Sequence, residues 1–243
     1  MFDYQDYRNR YSQHVLFYEA GVDNRQQVYD AKVAIIGLGS IGIEAARLLA
    51  IAQVQLLRFI YWEETGHDPQ EERSLTDAAA CLSSGLTAVH ELATANSSLA
   101  IEIVDGTGMH LPDLLQDIDL VLYADCSSER CRLLSESCRE LHKSWIYAEA
   151  QGGAGMTANI IPGKTPCIGC IKTAVQFSDG GFRYAPTVTD LIARTMAQFQ
   201  AIEALKILGA SPSVSTEVFC FDVDQFSYTR HVARNEACSC CAP

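Results

Sequence analysis

Short apolar runs alternate along this chain with stretches whose apolar residues recur at helical spacing. Residues 32–36 (KVAII) form a compact run rich in β-branched side chains, as a buried strand needs. The run enters Gly37-Leu38-Gly39-Ser40-Ile41-Gly42 and then the helical pattern of 43–52 (IEAARLLAIA). A second run at 54–62 (VQLLRFIYW) ends in Glu63 and Glu64. Strand, glycine turn, helix and strand in that order make a βαβ unit. The stretch 65–98 is polar at first and helical toward its end (LTAVHELATAN). Further strands are expected at 99–104 (LAIEIV), 119–123 (DLVLY) and 144–150 (SWIYAEA), with a helix at 130–142.

After Gln151 the rhythm changes. Residues 151–170 read as a strand and turn leading into a cysteine knuckle, and 171–187 as a crossover loop. Thr189–Leu208 carries Leu191, Ile192, Met196, Phe199, Ile202, Leu205 and Leu208 near helical spacing, with Gly209 placed to stop the helix. Residues 217–232 read as a hairpin turning near Asp224-Gln225. The pattern therefore predicts an α/β fold: a Rossmann-like, mostly parallel sheet with helices on both faces, and a C-terminal antiparallel hairpin. Residues 1–30 are read as an N-terminal helical extension, and 31–243 as one nucleotide-binding-fold domain that includes the loop and the C-terminal tail.

Composition narrows the function. Of 243 residues, 18 are Lys or Arg and 30 are Asp or Glu, a net charge of -12. That charge repels a phosphate backbone, and no basic block offsets it, so nucleic acid is not an expected partner. No apolar run reaches the roughly 18 residues of a membrane span, so no membrane association is expected. The polar opening MFDYQDYRNRYSQH has no apolar leader core, and the expected location is cytoplasmic, where thiols stay reduced. Arg47, Arg58 and Arg194 read as solvated surface cations.

The glycine turn is the first candidate site. Gly37, Gly39 and Gly42 let the backbone turn tightly and approach a pyrophosphate, which the next helix meets with its N-terminal N–H groups. Glu63 or Glu64, after the second strand, could accept ribose hydroxyls. The second candidate site is metallic. Cys167-Ile-Gly-Cys170 and Cys238-Ser-Cys-Cys241 are two CxxC pairs, the spacing of a closed, structural four-thiolate zinc knuckle. Cys240 competes with Cys241 for the fourth place. Cys81, Cys126, Cys131, Cys138 and Cys220 are scattered and read as small buried hydrophobes.

These residues resemble the ThiF/MoeB/HesA family, relatives of ubiquitin-activating enzymes, from about Arg10 to Cys241. The markers are Arg10-Tyr11-Ser12, Glu19-x-Gly21, the glycine turn, the Pro166-Cys167-x-x-Cys170 knuckle, Gln200-Ala-Ile-Glu203-Ala-Leu-Lys206, Phe221-Asp222, and Arg234-Asn235 before Cys238-x-x-Cys241. The resemblance implies Mg-ATP, adenylation of the C-terminal carboxylate of a ubiquitin-like sulfur carrier or a peptide, and a homodimer with an arginine reaching the neighbouring nucleotide.

Against that pattern, four functional positions differ. The ribose aspartate falls on Tyr61, with Glu63 as a substitute. The lysine falls near Ser84, and no lysine occurs between Lys32 and Lys143. The magnesium aspartate falls on Ser127 or Ser128, within Asp125-Cys126-Ser127-Ser128-Glu129. The crossing arginine falls on Gln13. Arg73 matches a further family arginine if one residue is inserted. Residues 171–219 contain no cysteine for a thioester. Three functions stay open: a non-catalytic binder of a carrier, peptide or active paralogue; an active ATP-dependent adenylyltransferase; and an NAD(P)-binding enzyme.

Overall fold

The computed structural model describes residues 22–62, 72–95, 99–125, 127–175, 184–224, 226–235, 237–238 and 240–241. Helix α1 (Val22–Tyr29) leads into β1 (Lys32–Ile36), α2 (Ser40–Ile51), β2 (Leu56–Tyr61), α3 (Glu72–Ala95) and β3 (Ala100–Asp105). There follow α4 (Leu111–Leu115), β4 (Leu120–Tyr123), α5 (Ser128–Glu140) and β5 (Trp145–Gln151). The chain ends with β6 (Ala154–Ile160), α6 (Ile168–Ala174), α7 (Pro186–Leu208), β7 (Val218–Asp222) and β8 (Phe226–Arg230).

All eight strands join one sheet in the order β3-β2-β1-β4-β5-β6-β7-β8. The first five in that order pair in parallel, and β6, β7 and β8 pair antiparallel. The run KVAII explains why β1 is central: its side chains alternate between two apolar layers. Ala34 and Ile36 join the layer of α4, α5 and α6, with Leu115, Leu134 and Ile171. Val33 and Ile35 join the layer of α2, α3 and α7, with Leu49, Val89 and Met196. Helices thus cover both faces, as the apolar pattern predicts. Val28 of α1 packs against the second layer; residues 1–21 of the expected extension lie outside the described residues.

The structure departs from the reading in five places. Helix α3 begins at Glu72, well before the apolar stretch that marks its end. Helix α4 was hidden in a five-residue segment opened by Leu111-Pro112, where proline suits the first turn. The crossover loop is shorter than 171–187: α6 runs to Ala174 and α7 starts at Pro186, again on a first-turn proline, while 176–183 lie outside the described residues. The antiparallel part is larger than a hairpin, because β6 also turns back along β5. Arg58 is not a solvated cation. Its side chain is 13% exposed and clamps Glu102 and Asp117 across β2, β3 and the end of α4. Among the described residues no helix is long and apolar enough to cross a membrane.

Candidate functional site

The strand order reverses between β1 and β4, which places a crevice beyond their carboxyl ends. Ile36 and Tyr123 are in register, so the two chains leave the sheet side by side. Gly37 follows β1 with φ +105°, and a Cβ there would lie 2.5 Å from the Ala124 carbonyl oxygen. A Cβ on Gly42 would lie 2.2 Å from the Gly37 carbonyl oxygen, so α2 presses directly on the turn. Both glycines are needed for backbone contact. Gly39 differs: nothing lies within 4 Å of its Cβ position. As the N-cap of α2 with no side chain, it leaves open space beside the positive end of that helix, where a phosphate would fit. Helix α3 closes on the same turn, since a Cβ on Gly85 would lie 2.4 Å from the Leu38 carbonyl oxygen. Ser84, next to it, is exposed.

Across the crevice stands α5. Ser127 caps it by accepting from the Arg130 N–H at 3.3 Å. The Ser127 N–H in turn donates to Asp125 Oδ1 at 3.0 Å. Asp125 Oδ2 accepts from the Arg130 guanidinium at 2.8 Å. The same guanidinium lies 5.2 Å from the centre of the Trp62 ring, at the end of β2. Trp62 is held from below by Gly106, whose Cβ position lies 2.6 Å from the ring. The Asp125 carboxylate is therefore committed to an arginine, and Ser127 and Ser128 cap and open a helix rather than offer a carboxylate. Glu129 is turned to Arg132, 2.7 Å away. Tyr61 ends β2 and packs on the second apolar layer. Glu63 and the side chain of Arg73 lie outside the described residues.

The first residue of α2 carries a second polar link. Ser40 donates to Asp190 of α7, and Asp190 accepts from Arg194 at 2.9 Å. Both contacts hold the Asp190 carboxyl below the usual carboxylate range, the serine hydroxyl most. Sequence reasoning missed Arg130, Trp62 and Asp190 as site residues, because their meeting depends on strand order.

The four knuckle cysteines do come together. Cys167, Cys170, Cys238 and Cys241 place their Sγ atoms within 4.8 Å of one another, a group that could hold a metal ion. Two of the separations are 3.6 Å and 3.7 Å. Tetrahedral thiolates at about 2.3 Å from a zinc ion would stand about 3.8 Å apart, so the set fits. The fourth position goes to buried Cys241, while Cys240 is exposed. Cys241 Sγ also accepts from the Cys167 N–H at 3.2 Å. Arg234 braces the tail by donating to the carbonyls of Gly163 and Cys241. Backbone N–H groups of Cys240 and Cys241 pull the Cys238 thiol down to about 6, and burial pushes Cys167 up.

The remaining described thiols do not look nucleophilic. Burial raises Cys131 to about 11 and Cys138 to about 12, and it raises Cys220 as well. A protonated, buried thiol is inert, which agrees with the hydrophobe reading. The side chains of Cys81 and Cys126 lie outside the described residues.

Comparison with known proteins places this geometry. A profile of the ThiF family matches residues 83–242. The sulfur carrier protein ThiS adenylyltransferase of Bacillus subtilis (strain 168) is 24% identical over 82% of this chain, which spans 60% of that protein. The heterocyst protein HesA of Trichormus variabilis is 27% identical over 96% of this chain and 88% of its own. Among solved structures, E. coli MccB with ATP superposes with a TM-score of 0.69 at 19% identity, over 96% of this chain and 74% of that one. MccB with MccA-N7isoASN gives 0.71 at 18% identity, over 97% and 75%. With its crevice, its glycine turn and well over half its length on the family profile, this chain belongs to the ThiF family.

Proposed function

We propose that this chain binds the C-terminal tail of a ubiquitin-like carrier or a peptide, or an active paralogue, and does not carry out magnesium-dependent adenylation. One observation carries the reading. The carboxylate beside the glycine turn, Asp125, is already bound by Arg130 and the Ser127 N–H, in a segment whose metal-binding positions are serines. Adenylation requires a carboxylate to attack the α-phosphate while cations offset the developing charge. The chain has no lysine from 33 to 142 to help. Losing one such stabiliser costs about a hundredfold in rate, and here several are gone together.

Relatives support the partner class. The Bacillus subtilis relative is named for its carrier protein ThiS, and MccB is known with MccA-N7isoASN. The open position at Gly39 supports a retained nucleotide in the crevice, with Gly37 and Gly42 shaping it. Zinc is the metal we assign to Cys167, Cys170, Cys238 and Cys241. Four thiolates leave no position for water, so its role is structural. A homodimer and a cytoplasmic location complete the reading.

An ATP–pyrophosphate exchange assay tests it, run with ubiquitin-like carriers and peptides ending in glycine. No exchange above background, alongside measurable binding of a carrier or peptide tail, is the expected result. Magnesium-dependent exchange would establish the active adenylyltransferase instead, a reading that the intact glycine cradle favours.

A further inference from the structure

We infer that the pocket between α7 and the antiparallel strands is a binding site for a guanidinium or ammonium group on a short alkyl chain. The site is separate from the crevice. Asn159 of β6 pairs with Ile146, near the start of β5, so the pocket lies toward the amino ends of the parallel strands. Its volume is about 180 Å³, and Thr157, Asn159, Phe199, Glu203, Glu217 and Phe219 form most of its wall. One water needs about 10–15 Å³, so the space admits a small organic group. Thr229 of β8, an exposed residue, also lines it, so the pocket opens beside the edge strand.

The wall has spent its donors and kept its acceptors. Asn159 Nδ2 donates to Glu203 Oε2 at 2.6 Å and to the Ser215 carbonyl at 3.0 Å. The Ser215 N–H donates to Glu203 Oε2 at 3.0 Å, and its hydroxyl to the Glu217 carbonyl at 3.3 Å. The Thr157 hydroxyl donates to the Met196 carbonyl at 3.3 Å. Asn159 is 5% exposed, and its Oδ1 has no hydrogen-bond partner. A buried acceptor without a donor is costly, and a ligand N–H would supply one. The charges point the same way. Lys206 balances Glu203, but among the described residues no cation pairs with the Glu217 carboxylate. Arg230 does not serve, because it pairs with Val218 of the first apolar layer and so stands on the opposite face of the sheet. Phe199 and Phe219, with ring centroids 3.7 Å apart at 29°, add a wall that suits an alkyl chain or a flat cation. Ammonium and guanidinium groups have donors, no acceptor and a positive charge, which is what this wall lacks.

Titration calorimetry on the full, reduced chain tests this, with agmatine and acetyl-arginine amide as cationic probes and n-butanol as the uncharged one. A cation is expected to bind at one site per chain, and n-butanol to give no heat. Glu217→Gln removes the unpaired charge and should weaken binding about tenfold or more. Thr229→Trp leaves the charge alone and narrows the opening, and it should weaken binding as much. Glu140→Gln, at the exposed end of α5, removes a charge elsewhere and should change nothing, which separates this pocket from general attraction to an acidic surface. Thermal midpoints of the three variants confirm that each is folded. Agmatine binding alone identifies a free small cation as the occupant. Acetyl-arginine amide binding as tightly identifies a basic side chain of a protein partner. Binding of neither cation, or binding that Glu217→Gln and Thr229→Trp leave at the strength of the parent chain, would overturn the inference.

Discussion

Two glycines in one turn separate folding from binding at the level of single residues. Gly37 sits at φ +105° against the Ala124 carbonyl, so a methyl group there meets both strain and backbone. Gly37→Ala should cost about 3 kcal/mol, read as a lowered denaturant midpoint. Gly39 has φ -78° and open space around its Cβ position. Gly39→Ala should leave stability within about 0.5 kcal/mol yet weaken nucleotide binding, because the methyl group fills the cradle. Equal ATP affinity in the parent and Gly39→Ala would mean that no phosphate sits there. The glycine spacing was legible in the sequence, but not the division of labour. Spacing alone does not tell which glycine faces a carbonyl and which faces solvent. The same limit hid Arg130. Nothing in Ser-Glu-Arg-Cys marks an arginine that crosses to a tryptophan 68 positions earlier.

At the scale of elements, buried side chains tie α7 to the sheet: Asn159 and Thr157 of β6 donate to Glu203 and Met196, and Gln200 reaches two further strands. Gln200 is fully buried, and its Nε2 donates to the carbonyls of Tyr123 in β4 and Ile146 in β5, at 3.0 Å and 2.9 Å. Those two strands flank the crevice on the β4 side, so the amide fixes the helix over the ends that shape the site. Gln200→Met keeps the volume and removes both donors. Two buried carbonyls each lose a donor, and the expected loss is about 2–3 kcal/mol in chemical denaturation. A loss below about 0.5 kcal/mol would mean that water replaces the amide. Elements with a clear period, such as β1, α2 and α7, were legible because their apolar residues recur regularly. Helix α4 was not, since five residues are too few to show a period. The start of α3 was masked by Glu72-Arg73-Ser74, polar residues that favour a helix no less than apolar ones but leave no stripe.

For the whole molecule, the cysteine cluster decides how the ends hold together. It joins the tail at Cys238 and Cys241 to the start of α6 at Cys167 and Cys170, closing a loop that contains α7 and the β7–β8 hairpin. The meeting of these cysteines was the most legible feature of the sequence, because two CxxC pairs have the spacing of a four-thiolate group whatever the fold between them. The choice of Cys241 over Cys240 needed the structure, which buries one and exposes the other. A crosslink closing a loop of about 70 residues stabilises by about 4 kcal/mol in the chain-entropy account. Removing the metal with a chelator under reducing conditions should therefore lower the melting temperature by about 10 °C. Cys170→Ser should do nearly the same without chelator, and Cys240→Ser should do nothing. Arg234→Ala, which removes the brace on Cys241, should make the metal easier to extract while leaving its amount per chain unchanged at neutral pH. If chelation leaves the melting temperature unmoved while metal analysis shows one ion removed per chain, the knuckle is not what fastens the tail. The contacts of β7 with β6 must then hold that half of the sheet alone.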